Sequence, residues 1–197
     1  MLRAAWHQLW FSARGATARR LVSGAHAGAR AIAGADADAL RRVGRRSIPG
    51  HVLPRLLPGA RRAIAAHRRA GDLVFLVSSA PQEIVSELAA TLGADGFAAS
   101  SAEVREGRYT GRLLHFCHGE AKAEAVLRLA RGHGVDLRRS VAYADSASDV
   151  PMLARVGRAV CVNPDRRLRA QARRRGWECT RFDGVAVDGA GRLADAA

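Results

Sequence analysis

Three short stretches of this chain carry residue types that can do chemistry. In "YADSASDVPML", residues 143–153, Asp145 and Asp149 stand four positions apart among small side chains, after an apolar run and just before Pro151. Two carboxylates in a loop stiffened by proline suit a hard cation such as Mg²⁺, which takes one or two protein carboxylates and completes its shell with phosphate oxygens and water. Ser146, Ala147 and Ser148 are small enough to let the backbone approach such an ion. Capping of a following helix would account for Asp149, but it leaves Asp145, at the strand end, without a reason. The second stretch holds Lys122, the only lysine in a chain that otherwise uses arginine for positive charge. A compact ammonium on a flexible stem can meet a phosphate oxygen and a carboxylate together, whereas the planar guanidinium fork demands a different geometry. The third is Ser78-Ser79, which ends an apolar run and leads into a helix with Pro81 in its first turn. A hydroxyl beside the positive end of a helix binds phosphate; the plainer alternative is a helix N-cap.

The elements that must position these residues follow from the patterning. "RLLPGARRAIAAHRRAG" predicts a helix, with Pro58 near its start and Gly71 just past its end. Leu73–Val77 is an unbroken apolar run, as in a parallel strand covered on both faces. "APQEIVSELAATLG" predicts the next helix, Gly96–Ala98 a short strand, and the Glu-Gly step in "EVREGRYTGRLL" a hairpin. Ala123, Val126, Leu127 and Ala130 recur at helical spacing. "SVAYA" and "AVCVN" predict strands, with helices from about Val150 and over 165–175, and "WECTRF" closes the pattern. Strand and helix alternate from residue 73, which predicts an α/β fold with a parallel sheet. Such sheets bind ligands at the carboxyl ends of their strands, where both the Ser78 and the Asp145 segments fall.

Composition bounds the function. The chain has 197 residues, 48% of them apolar, and a formal net charge of +14. That size suits one domain with or without a small appendage, and the charge favours anionic partners. The arginines are spread in pairs and triplets through an Ala- and Gly-rich background, with no aromatic-interleaved basic motif, so a specific nucleic-acid partner is not expected. A nucleic-acid-binding module stays open as an alternative that steep salt dependence of RNA binding would reveal. Cys117, Cys161 and Cys179 form no CxxC pair, which fits a reducing cytoplasm. "HFCHG", His115–Gly119, could be read as a transition-metal site, but without a complementary distant ligand pair it reads better as an active-site loop. No apolar stretch reaches the length of a membrane span. Oligomeric state has no signal here.

In this order, "LVFLVSSAP", "EVREGRYTGRLL", "CHGEAK", "AYADSASDVPML" and "VCVNPDRRLRAQARRRGW" resemble the haloacid dehalogenase superfamily, and within it the phosphoserine phosphatase-like subfamily. The resemblance covers roughly residues 50–180. It implies a Rossmann-like core, Mg²⁺ as cofactor and hydrolysis of a small phosphorylated substrate. It casts Ser78 and Ser79 with Lys122 as the phosphate-binding residues, Asp145 and Asp149 as the metal-binding acids, and Ser78, Lys122, Asp145 and Asp149 as the catalytic set. The family's nucleophile is the first aspartate of a DxDxT motif on the central strand, and no DxDxT occurs here. "DADA" at 36–39 has paired acids but neither a preceding apolar strand nor a following threonine. The expectation is therefore a core whose first strand is missing, lying between the strands that end at Ser78 and Asp145, with residues 1–52 as a partial helical cap, 53–182 as the core and 183–197 as a flexible tail. Trp6, Leu9 and Trp10 would share one side of a cap helix; the acid-free, Arg-rich first 35 residues also have the composition of a transit peptide. Without the nucleophile the chain reads alternatively as a non-catalytic phosphate-binding relative.

Overall fold

Val74, Phe75, Leu76 and Val77 are each 0% exposed, as a strand sandwiched between two layers requires. The computed structural model describes residues 3–7 and 18–182. In chain order the strands are β1 (Ala4–His7), β2 (Leu73–Pro81), β3 (Gly96–Arg105), β4 (Arg108–His115), β5 (Val141–Ala144), β6 (Arg158–Val162) and β7 (Glu178–Thr180). The helices are α1 (Ala18–Ala31), α2 (Ala37–Ser47), α3 (Pro58–Arg69), α4 (Gln82–Leu92), α5 (Glu120–His133), α6 (Val150–Leu153) and α7 (Arg166–Arg175). One seven-stranded sheet has the order β4-β3-β2-β1-β5-β6-β7. All its pairings are parallel except β3 with β4. This is the α/β architecture expected from the sequence.

The expected missing strand is corrected by this topology. The place between β2 and β5 is filled: Ala4–His7 pairs in parallel with Leu73–Leu76 on one side, and Ala5–His7 with Val141–Tyr143 on the other. The Leu73 amide donates to the Arg3 carbonyl at 2.9 Å. Of these residues only Trp6 favours strands, and the helical spacing of Trp6, Leu9 and Trp10 argued for a helix. Two neighbouring strands with buried backbone donors and acceptors outweigh that local signal, because each buried group left unpaired costs about as much as a lost hydrogen bond. Leu9 and Trp10 lie outside the described residues, as does the tail from Asp183.

Alternate residues of β2 face opposite layers. Phe75 and Val77 join Ala125, Val126, Ala142, Met152 and Leu168 in one core; Leu76 joins Ile48, Val85 and Leu88 in a second, and Val74 packs on Ile64 of α3. On α5, Ala123, Val126 and Ala130 are buried as their spacing predicts, while Leu127 is half-buried. The predicted short strand at 96–98 continues to Arg105, and the hairpin turns at Glu106 (φ 50°) and Gly107 (φ 76°). Two successive left-handed residues match the twist of the flanking strands.

From Ala18 to Arg55 the chain is mostly helical, ending in a π-helical turn over Ile48–Val52 and a 3₁₀ turn over Leu53–Arg55. Its link to β4 is backbone: Gly34 donates to the Tyr109 carbonyl (2.8 Å) and Tyr109 to the Ala35 carbonyl (3.0 Å). Its link to α4 is a two-point ion pair, Arg45 to Glu87 at 2.9 and 3.1 Å.

Candidate functional site

Asp36 of the "DADA" stretch caps α2, accepting the Ala39 amide at 2.8 Å, and Asp38 pairs with Arg41 on the surface. Helix geometry explains both acids, which leaves the strand ends as the place to look. At the carboxyl end of β2, Ser78 is 3% exposed. The next helix begins only at Gln82, so Ser78 is not its N-cap; its Oγ accepts the Ala80 amide at 3.2 Å instead, leaving its proton for another acceptor. Ser79 differs from the expectation. Its Oγ donates to the Cys117 carbonyl at 2.8 Å, and its own carbonyl accepts from Ser100 Oγ at 2.8 Å. The proton a phosphate oxygen would take is therefore engaged, and Ser79 ties β2 to the loop before α5.

That loop is "HFCHG". Cys117 is completely buried in the core, and burial pushes its thiol up to about 11. His118 Nδ1 lies 3.4 Å from Ser79 Oγ and its ring stacks on Phe116. Burial, then the Lys122 charge, holds the His118 imidazole below its ordinary value. Among the described residues no three His, Cys, Asp or Glu side chains converge as a metal set. The loop instead leads α5 into place, with Gly119 at φ 59° just before its first turn.

Lys122, in that first turn, is 1% exposed, and its Nζ lies 2.7 Å from Oδ1 of Asp149, which is 0% exposed. A charge that deep survives only when paired. Asp149 Oδ2 has no hydrogen-bond partner. Asp145, half-buried just past β5, has its carboxyl pushed up by burial and then by the Asp149 charge. Two carboxylates facing one ammonium, with one buried oxygen unpartnered, leave negative charge that a divalent cation would neutralise. The donor set thus fits Mg²⁺, which needs few protein ligands when phosphate and water complete its shell. Asp149 divides its service, since its Oδ1 already holds Lys122.

The loop itself is held by groups the sequence reading passed over. Asp165 caps α7 through Oδ1 (Leu168 amide, 2.6 Å), and its Oδ2 accepts the Ala147 amide (3.1 Å), while its own amide donates to the Asp145 carbonyl (2.8 Å). The Asp after "NP" at a helix start is an N-cap signal; its second role is visible only in three dimensions. Ser146 Oγ accepts the Ser148 amide at 3.3 Å, closing the turn inside the acid pair. Behind the site, His67 bridges Asp72 Oδ2 and the Tyr143 hydroxyl at 2.8 Å each. That chain of bonds fixes the Tyr143 ring on β5.

Residues 1–154 match the family model of haloacid dehalogenase-like hydrolases. A probable phosphatase of Mycobacterium tuberculosis is 41% identical over 150 residues, covering 76% of this chain and 52% of that protein. The phosphoserine phosphatase SerB1 of the same organism is 43% identical over 132 residues, 66% of this chain and 43% of its own. The chain thus spans about half the length of the curated relatives it matches. Among solved structures, a Bordetella pertussis protein of unknown function superposes with a TM-score of 0.79 at 25% identity, covering 93% of this chain and 100% of that one. A probable phosphoserine phosphatase from Vibrio cholerae gives 0.65 at 20% identity over 93% of this chain and 62% of its own, a likeness of fold.

Proposed function

The chain belongs to the haloacid dehalogenase-like hydrolase family, and on that premise we propose that it is a Mg²⁺-dependent phosphomonoester hydrolase acting on a small phosphorylated substrate. The observation that carries this reading is the chain's only lysine, buried to 1% and held 2.7 Å from an equally buried Asp149 beside Asp145. Lys122, from the first turn of α5, and the free proton of Ser78, from the end of β2, donate to phosphate oxygens. Asp145 and the unpartnered Oδ2 of Asp149 would hold the metal, which when bound would neutralise charge on the phosphoryl group. Asp165 and Ser146 keep the acid loop in one geometry, so little reorganisation is needed when the charges meet.

A second reading rests on one specific observation: residues 1–35 contain no Asp or Glu. The family resemblance assigns attack on phosphorus to a carboxylate at the end of the central strand, and the ten residues after His7, "QLWFSARGAT", supply none. On that reading the site binds phosphate and Mg²⁺ without turnover. One experiment separates the two: orthophosphate release from phosphoserine and p-nitrophenyl phosphate with and without Mg²⁺, beside calorimetric titration with orthophosphate. Mg²⁺-dependent release that disappears in Lys122→Met supports the hydrolase. Binding without release supports the second reading, and neither binding nor release removes both.

A further inference from the structure

A cavity of about 140 Å³ opens directly beside the site, with Ser78 and Asp145 in its wall. Away from those two residues its lining is overwhelmingly apolar: Val52 from the π-helical turn, Ile84, Val85 and Leu88 from α4, Val162 from β6, and Phe182 just past β7. The Tyr143 ring joins them, its hydroxyl held by His67 at 2.8 Å. His51 and Arg55 are cavity residues too, but both are exposed, and Arg55 donates to the His51 carbonyl. Asp145 is the only carboxylate among the described lining residues, and it already faces the Asp149 charge.

A substrate whose phosphate sits on Ser78 and Lys122 can place its alcohol portion in this space, which shares Ser78 and Asp145 with the site. An amino-acid alcohol would bring an ammonium group whose only carboxylate partner among the described lining residues is Asp145, already assigned to the metal, and most of the wall it would meet is the apolar surface of Ile84, Val85 and Leu88. Burying charge without a partner is costly; burying hydrocarbon there is favourable. A dry apolar cavity of about 150 Å³ accepts one benzene ring, which sets the scale for this one. We infer that the substrate class is the phosphate monoester of an apolar alcohol of about six carbons, its phosphate at Ser78, Lys122 and Asp145 and its hydrocarbon part against Val52, Val85, Leu88 and Phe182. This rests on the phosphomonoester reading of the same site and narrows it.

The test is calorimetric titration of the full chain, with Mg²⁺ present, against orthophosphate, phosphoserine and methyl, butyl and hexyl phosphate. Orthophosphate binds, and affinity rises by about fourfold per methylene buried, so hexyl phosphate exceeds both methyl phosphate and phosphoserine. Val52→Gln, whose fold is checked by its urea midpoint, lowers the ratio of hexyl phosphate to orthophosphate affinity. If orthophosphate binds but affinity is flat with chain length, or phosphoserine binds tighter than hexyl phosphate, the inference is overturned while the site reading stands. If neither orthophosphate nor any ester binds, the site reading itself fails and takes the inference with it.

Discussion

Lys122→Met tests whether the buried ion pair holds the site together. Lys122 is 1% exposed and Asp149 0%, with 2.7 Å between the charged atoms. Methionine roughly preserves the volume of the lysine stem but removes the charge, leaving Asp149 buried without a counterion and with Asp145 nearby. Breaking a buried pair by removing one partner costs about 3–5 kcal/mol. In a chain of this size each kcal/mol moves the thermal midpoint by about 2–4 °C, so the variant melts roughly 6–20 °C lower. Asp149→Leu costs a similar amount by stranding the ammonium. The double variant replaces both charges with hydrocarbon, removes the desolvation penalty as well as the attraction, and returns to within about 1 kcal/mol of the original chain. Urea unfolding of all four proteins supplies the free energies, with the slope checked for constancy, and the cycle isolates the pairwise term. If each single variant costs under about 1 kcal/mol and their effects add, Lys122 and Asp149 are not a buried charge pair and the site argument loses its foundation.

Three further outcomes are expected. Mg²⁺ at about 100-fold above its dissociation constant stabilises the fold by about 2.7 kcal/mol, seen as a raised thermal midpoint that EDTA reverses; Asp145→Asn abolishes the rise, and a rise that survives in that variant puts the metal elsewhere. Burial and the Lys122 charge hold His118 below its ordinary value of 6.5, so the unfolded chain takes up that proton first. The stability tied to neutral His118 is fully present above 6.5 and is lost as pH falls from there through the lowered folded value; urea midpoints from about pH 7.5 to 5.5 should decline less steeply in His118→Gln. An equal slope would mean that His118 is freely solvated. At Gly59 an added Cβ would lie 2.6 Å from the Phe182 ring, so Gly59→Ala costs about 1–3 kcal/mol by overpacking. Adding Phe182→Ala to that variant recovers part of the loss in a melting experiment; no recovery would mean that the two residues are not in contact.

Local sequence by itself determined the order of elements from Leu73 onward and singled out Ser78, Lys122, Asp145 and Asp149 as candidates. The apolar run Leu73–Val77 predicted a doubly covered strand, and residues 74–77 are buried in one. The helical spacing of Ala123, Val126 and Ala130 put that face of α5 in the core. A lone lysine and a DxxxD loop marked a helix start and a strand end that do meet, because a charge in such a context needs a partner wherever the chain folds. Long-range pairing decided what those signals leave open. Ala4–His7 carries only the weak strand preference of Trp6, and its place between β2 and β5 follows from the buried backbone groups on either side. Ser78 and Ser79 are chemically identical neighbours, yet the approach of the Cys117 carbonyl engages the hydroxyl proton of Ser79 and leaves that of Ser78. Asp165 reads as a helix cap, and only the close approach of the Ala147 amide makes it a support of the acid loop. Propensity and patterning act within a few residues; which side chain keeps a free proton, which carboxylate is paired and which strand fills a gap depend on groups brought together from distant parts of the chain.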